Sequence, residues 1–288
     1  MISTKELFLW IQTINKNNER DLDALYIFLD LMGGISKKEL TLLKLKQTES
    51  TYLQKDLKTL KKKWLDYSQY SKPIQYVCKS TYWRNLKLEL TEKVLIPRVE
   101  TEQIVEIAYD ILRDKEKKIT FADLGTGSGA IGISLSLISD KWKGLATDID
   151  EDAIFVAKNN YEKITNFENL DFFCGSWWEP LQEYSEKIDI AISNPPYIPQ
   201  DVYNKLPKSI KNFEPKIALH GGEDGLYHIK KIIANAPKFL KKGGWLILEN
   251  HFDQSQEIKY FMREYGFNSI KTINDLFGIG RFTIGRYK

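Results

Sequence analysis

The sequence predicts an α/β protein: an open, mostly parallel sheet with helices on both faces, preceded by a small all-helical domain. Three observations carry this reading. The first 70 or so residues read as helices, and the texture changes near residue 75. Beyond that point short apolar runs alternate with helical patterns, as they do where a parallel sheet is covered on both sides. One of those runs opens into a glycine-rich turn and a helix, "FADLGTGSGAIGISL". The expected organisation is a helical bundle over 1–72, a linker and short hairpin over 73–92, and the α/β domain over 93–288.

In the first segment, Ser3 with Glu6 and Ser36 with Glu39 fit the Ser-x-x-Glu box that satisfies orphan amides at a helix start. "LDALYIFLDLM" has helical apolar spacing and stops at Gly33 and Gly34, a helix end. Leu53, Leu57, Leu60 and Trp64 form another helical stripe, read as core. "YSQYSKP" reads as the exit linker and "TYWRNLKLEL" as a hairpin. A helix follows in "VETEQIVEIAYDIL", with Thr101 as its cap. The strands expected next are "KITFADLG", "GLATDID", "LDFFCG", "IDIAISN" and "GWLILEN". Between them lie the helices "GAIGISLSLIS", "EDAIFVAKNNYEKI", "LYHIKKIIANAPKFL" and "SQEIKYFMREY". The tail "INDLFGIGRFTIGRYK" reads as a final strand pair around a turn, which completes a sheet of seven.

Composition removes several classes of function. No run of about 18 apolar residues is present, so no membrane span is expected. The first residues have neither the basic lead-in nor the cleavage site of a secretory signal. Cys78 and Cys174 stand far apart, as reduced thiols of a cytoplasmic protein. His220, His228 and His251 have no metal-ligand spacing, so no metal is expected. The net charge of +3 does not call for a nucleic-acid partner. It is uneven, though: residues 1–80 hold 14 Lys and Arg against 9 Asp and Glu, many of them in "LKTLKKKWLDY". That run is either a solvated helix face or a docking face for an acidic or RNA-associated partner.

The glycine loop, Gly125-Thr126-Gly127-Ser128-Gly129, allows a tight turn and the close approach of a ligand to backbone at a helix start. Gly127, Gly129 and Gly132 also satisfy the Gly-x-Gly-x-x-Gly dinucleotide pattern, which alone is weak and leaves a dehydrogenase open. Asp148 closes the next strand, where a carboxylate accepts hydrogen bonds from ribose hydroxyls. NAD and S-adenosylmethionine both carry that ribose; the alternative is a helix cap, for which Asp150 is better placed. Trp177, in "CGSWW", is either a surface for an adenine or sulfonium or a core aromatic.

"IDIAISNPPYIP" ends a strand with Asn194, Pro195, Pro196 and Tyr197. In an open parallel sheet these residues fall in the same crevice as the glycine loop. A planar amide or aromatic amine is a poor nucleophile, because its lone pair is delocalised. The Asn194 side-chain carbonyl and the Pro195 backbone carbonyl can each accept one hydrogen of an NH2 group, fixing the nitrogen in its more reactive pyramidal form. Orientation of this kind is worth up to roughly 7–11 kcal/mol of barrier. The prolines preorganise the carbonyls, and Tyr197 offers a flat face to the planar group or a cation, worth roughly 0.5–2 kcal/mol. The product loses its proton easily, so methyl transfer needs no catalytic His or Cys. Hydride transfer has no use for Asn-Pro-Pro-Tyr, which demotes the dehydrogenase.

With these strings the sequence resembles the S-adenosylmethionine-dependent methyltransferases that carry Asn-Pro-Pro-Tyr. "VLIPRVETEQIVE", "NFEPKIALHGGEDGLYHI" and "LFGIGRFTIGRY" narrow the resemblance to the bacterial peptide chain release factor glutamine methyltransferase family, over nearly the whole chain. The resemblance implies a Rossmann-like, seven-stranded class I methyltransferase domain. It implies that Gly125, Thr126, Gly127, Ser128, Gly129, Asp148, Trp177 and Asn194 contact S-adenosyl-L-methionine. It further implies that Asn194, Pro195, Pro196 and Tyr197 clasp the glutamine of a Gly-Gly-Gln tip in class 1 release factors, while the amino-terminal helices contact the factor elsewhere. A monomer without a nucleic-acid substrate is expected. The family pattern usually has glycine at Lys79, an acidic residue at Ser176 and often glycine at His251. Arg98 and Glu100 either order the site's loop or form a surface ion pair. The alternatives are a glutamine methyltransferase acting on a ribosomal protein, an rRNA or DNA amine methyltransferase, and a binding module that kept only the fold.

Overall fold

The structure, a computed structural model, describes residues 1–17, 19–113 and 117–288. By internal packing the chain forms two compact units, Met1–Thr81 and Tyr82–Lys288.

The first unit comprises β1 (Ile2–Ser3), α1 (Thr4–Asn17), α2 (Glu19–Phe28), α3 (Lys37–Leu45), β2 (Ser50–Thr51), α4 (Leu57–Tyr70) and α5 (Ile74–Cys78). Its core gathers Leu7, Leu25, Phe28, Leu29, Leu60 and Trp64, with the Trp64 ring edge-on to Phe28 at 5.5 Å. The Ser36 box forms: the Ser36 hydroxyl oxygen accepts from Glu39 N, and Glu39 accepts from Ser36 N at 2.7 Å. Ser3, directly before α1, pairs its backbone with Ser50 in the short β1–β2 ladder. A turn of π-helix, Leu29–Gly33, extends α2, and Gly34 ends it in the left-handed conformation. The stretch expected as a linker carries α5, whose Ile74, Val77 and Cys78 enter the core. Lys79 ends α5 at φ +55°, a conformation glycine takes more easily.

A hairpin, β3 (Ser80–Trp83) with β4 (Leu86–Glu89), leads to α6 (Gln103–Leu112). The sheet is then built from β5 (Ile119–Leu124), β6 (Trp142–Asp148), β7 (Leu170–Cys174), β8 (Ile188–Ser193), β9 (Leu240–Glu249), β10 (Phe267–Asn274) and β11 (Gly280–Tyr287). Its order is β10-β11-β9-β8-β5-β6-β7. All ladders from β9 to β7 are parallel, and β11 and β10 add antiparallel at the edge. The helices between strands are α7 (Ala130–Ser136), α8 (Glu151–Ile164), α9 (Gln200–Lys205), α10 (Lys208–Phe213), α11 (Tyr227–Phe239) and α12 (Ser255–Glu264). The seven strands and the four helices expected between them are present, although β10 begins at Phe267, ahead of the tail string expected to hold both edge strands. Helices α9 and α10 were not expected, because each is only six residues long and shows too little periodicity to read.

The strands alternate faces. Phe121, Ile190 and Ile192 pack on one side with Ile104, Ala108 and Ile133 of α6 and α7. Ala122, Ala191 and Leu246 pack on the other with Ile229, Ile233, Ile258 and Met262 of α11 and α12. The chain runs outward from β5 to β7, then returns to β8 on β5's other side. Strands β5 and β8 therefore flank the switch point, where open α/β sheets bind ligands beyond the carboxyl ends of their strands.

Candidate active site

A cavity of about 310 Å³ lies at this switch point. Gly125, Gly127, Asp148, Trp177, Asn194 and Pro196 line it, with Ser176 and His228 beside Trp177. Thr126, Ser128, Gly129, Pro195 and Tyr197 are not on its wall. They act behind it.

Beneath the glycine loop sits Asp123, a fully buried carboxylate missed in the sequence reading. Its Oδ2 accepts from the Thr126 hydroxyl at 2.6 Å and from Gly132 N at 2.9 Å. Burial, and then the charge of Asp148, push its carboxyl up to about 6 against those two bonds. This contact explains the third glycine of the dinucleotide-like pattern: a Cβ on Gly132 would sit 2.9 Å from Asp123 Oδ2. The third glycine of the pattern therefore reports packing. Gly125 is held close in the same way, since a Cβ there would come within 2.9 Å of the Trp177 ring. A Cβ on Gly127 would meet no protein atom within 4 Å and would enter the cavity instead.

Asp148 ends β6. Its Oδ2 accepts from Gly127 N at 2.9 Å and its Oδ1 from Asp150 N at 3.1 Å, while burial raises its pKa. Asp150, not Asp148, caps α8, accepting from Asp152 N at 2.9 Å. Each Asp148 oxygen keeps lone-pair capacity for a ligand. Trp177 lies at φ +52° with its ring 5.6 Å from that of His228, while the adjacent Trp178 stacks on Phe239 in the core. The indole on the cavity is thus Trp177, and the core aromatic is its neighbour.

The other wall follows β8. The Ser193 hydroxyl donates to Leu124 O at 2.6 Å, tying the ends of β8 and β5 together. The loop after Asn194 pairs its backbone with the Leu219–Gly222 stretch, through Ile198 N to Leu219 O at 3.0 Å and Gly221 N to Ile198 O at 2.9 Å. Gln254 donates to Tyr197 O at 3.0 Å. Asn194 Nδ2 donates to Thr101 Oγ1 at 3.2 Å. Thr101 donates in turn to Glu249 Oε2 at 2.7 Å, and the Tyr197 hydroxyl donates to Glu249 Oε1 at 3.2 Å. Glu249 is fully enclosed, and burial pushes its carboxyl up to about 7. Burial, followed by the Glu249 charge, holds the Tyr197 hydroxyl protonated, well above its ordinary range.

Two expectations are corrected here. Thr101 is not a helix cap: it lies in a 3-10 turn before α6 and spends its hydroxyl on Glu249. Arg98 does not pair with Glu100 but sends one guanidinium nitrogen to both oxygens of the buried Glu214, each at 2.7 Å. Glu249 had one signal in the sequence, a carboxylate closing an otherwise apolar strand, "GWLILEN".

The fold and the crevice define a class: residues 115–275 match the model of a methyltransferase domain. The chain is 36% identical to a release factor glutamine methyltransferase of Prochlorococcus marinus over 283 residues, covering 97% of this chain and 96% of that one. It is 32% identical to one of Thermosynechococcus vestitus, covering 96% of each. Among solved structures, the hMettl16 catalytic domain bound to MAT2A 3'UTR hairpin 6 is similar in fold (18% identity, 78% of each chain, TM-score 0.56). This chain belongs to the release factor glutamine methyltransferase family. It is an enzyme, and S-adenosylmethionine is its methyl donor. The residues present fit that cofactor: Gly127 leaves open space where a side chain would stand, and Asp148 offers acceptors beside it. Among the described residues no helix is long and apolar enough to cross a membrane, and no cluster of His, Cys, Asp and Glu could hold a metal ion.

Proposed function

We propose that this enzyme methylates the side-chain amide nitrogen of the glutamine in the Gly-Gly-Gln tip of class 1 release factors. One observation carries the reading. Asn194 lines the cavity and commits its NH2 group to Thr101, which leaves Oδ1 as an acceptor for an incoming NH2. Family membership supports the choice of glutamine and of release factors. The nearly balanced charge supports a protein over a nucleic-acid substrate.

In this reading Gly125 and Gly127 bring backbone against the cofactor, Asp148 takes its ribose hydroxyls, and Trp177 packs beside its base. The cofactor supplies a methyl group on a sulfonium. Asn194 Oδ1 and the Pro195 carbonyl each accept one hydrogen of the glutamine NH2 and hold its nitrogen in line. The extra proton on the methylated nitrogen leaves along one of those two bonds, so the site needs no strong base. The exposed Lys58, Lys61, Lys62 and Lys63 of α4 are proposed as a docking face for the factor.

Labelled S-adenosylmethionine tests the reading against four acceptors: a release factor, the same factor with its tip glutamine replaced, ribosomal protein, and rRNA. Label on the intact factor alone is expected. Label on RNA or ribosomal protein overturns the substrate while keeping the chemistry.

A further inference from the structure

We infer that Thr101 and Glu249 are positioning residues for methyl transfer, because their hydrogen bonds run in one direction and thereby set which end of the Asn194 amide is left to the substrate. The inference rests on the reading of Asn194 given above. An ionised carboxylate only accepts hydrogen bonds. Glu249 therefore obliges both hydroxyls that reach it to donate, Thr101 to Oε2 and Tyr197 to Oε1. Having donated its one proton, Thr101 Oγ1 can only accept from Asn194. The amide must then turn Nδ2 toward Thr101, at 3.2 Å, and keep Oδ1 for the ligand.

Protonated Glu249 breaks this order. It becomes a donor, frees the Thr101 proton, and lets Thr101 donate to Asn194 Oδ1. The reversed amide would present NH2 to the substrate's NH2, donor against donor. The charged and titratable groups facing Glu249 are Tyr197 after β8, Arg281 of β11 and Glu100 in the 3-10 turn before α6, while Arg98 acts on Tyr197. Arg281 favours the carboxylate and Glu100 opposes it, so burial decides the balance and places the transition near neutrality. Arg281 is also held by Asp275 at 2.8 Å, which fixes it beside the carboxylate.

The test compares wild type with Glu249→Gln, Thr101→Val and Thr101→Ser, all assayed on release factor, with S-adenosylmethionine affinity measured separately by calorimetry. Wild-type kcat should fall as pH drops through about 7. Glu249→Gln mimics the protonated acid, so it should hold the low kcat at every pH. Thr101→Val should lose roughly 10- to 100-fold in kcat, the scale of a misplaced acceptor. Thr101→Ser keeps the hydroxyl and should recover most of the rate. Cofactor affinity should stay constant throughout. A wild-type pH limb retained in Glu249→Gln, or full kcat in Thr101→Val, overturns the inference. A second measurement needs no substrate: the Asn194 side-chain amide resonances, identified by their loss in Asn194→Asp. They should shift with a midpoint near 7 in wild type and stay fixed in Glu249→Gln; no shift in wild type also overturns the inference. If wild type leaves release factor unlabelled, the substrate reading fails, while the resonances still decide the role of Glu249.

Discussion

The two walls of the crevice are each held by one buried carboxylate, and they use it differently. On the cofactor side Asp123 binds Thr126 and the Gly132 amide, partners three and nine residues away, and so shapes backbone. On the wall proposed for the substrate Glu249 binds Thr101 and Tyr197, 148 and 52 residues away, and through Thr101 reaches Asn194, another 93 residues along. It orients side chains and leaves the backbone to other contacts. A cofactor common to many methyltransferases needs only a loop of fixed shape. A poor amide nucleophile needs particular lone pairs aimed at it, and those come from distant parts of the chain.

The largest effect should separate the walls outright. In the proposed reading Asn194→Ala removes a substrate acceptor and nothing from the glycine loop, so turnover should fall by roughly 10²–10³-fold, as when one preorganised polar contact is lost. Calorimetric binding of S-adenosylmethionine should persist in that variant. Normal turnover would remove Asn194 from the mechanism.

A smaller effect divides the glycines within one wall. Gly132→Ala forces a methyl against Asp123 Oδ2 and should cost about 2–4 kcal/mol of stability, in the range of overpacking and a disturbed buried carboxylate. Gly127→Ala should cost only about 1 kcal/mol, for its left-handed φ of +55°. Its methyl enters the cavity, so it should weaken cofactor binding instead. Urea unfolding read beside calorimetry distinguishes the two, and equal stability losses would dissolve the distinction between packed and ligand-facing glycines.

The smallest effect concerns pH. Burial raises Asp123 to about 6 and Glu249 to about 7, so the folded chain holds protons that the unfolded chain releases. The stability linked to these protons is fully present below the ordinary carboxylate range, and it is lost as pH rises through about 6 and then about 7. The thermal midpoint of Glu249→Gln should therefore fall less than that of wild type between about pH 5 and pH 8. Parallel curves would mean that Glu249 does not titrate in this window.

Legibility followed sequence distance. The glycine loop, Asp148 and the Asn-Pro-Pro-Tyr string were readable because each is contiguous and closes a strand, and strand ends at the switch point converge whatever lies between them. The inner strands β5, β6, β8 and β9 were readable because both faces of the sheet are covered there, so they run largely apolar. Thr101 was misread because a threonine before a helical pattern is equally a cap, and nothing local shows that a carboxylate 148 residues away takes its proton. Arg98 was set against Glu100 because they are neighbours in the chain, while folding delivered Glu214.

The sequence by itself therefore determined the α/β architecture and put the glycine loop, Asp148 and Asn194 at strand ends that meet on one cavity. Those rest on local periodicity, turn residues and functional groups, which travel with the chain. Only the tertiary structure decided which indole faces the cavity, why Gly132 must be glycine and which way Asn194 turns its amide. Those depend on burial and on hydrogen bonds between residues far apart in sequence, and neither exists until the sheet has closed around them.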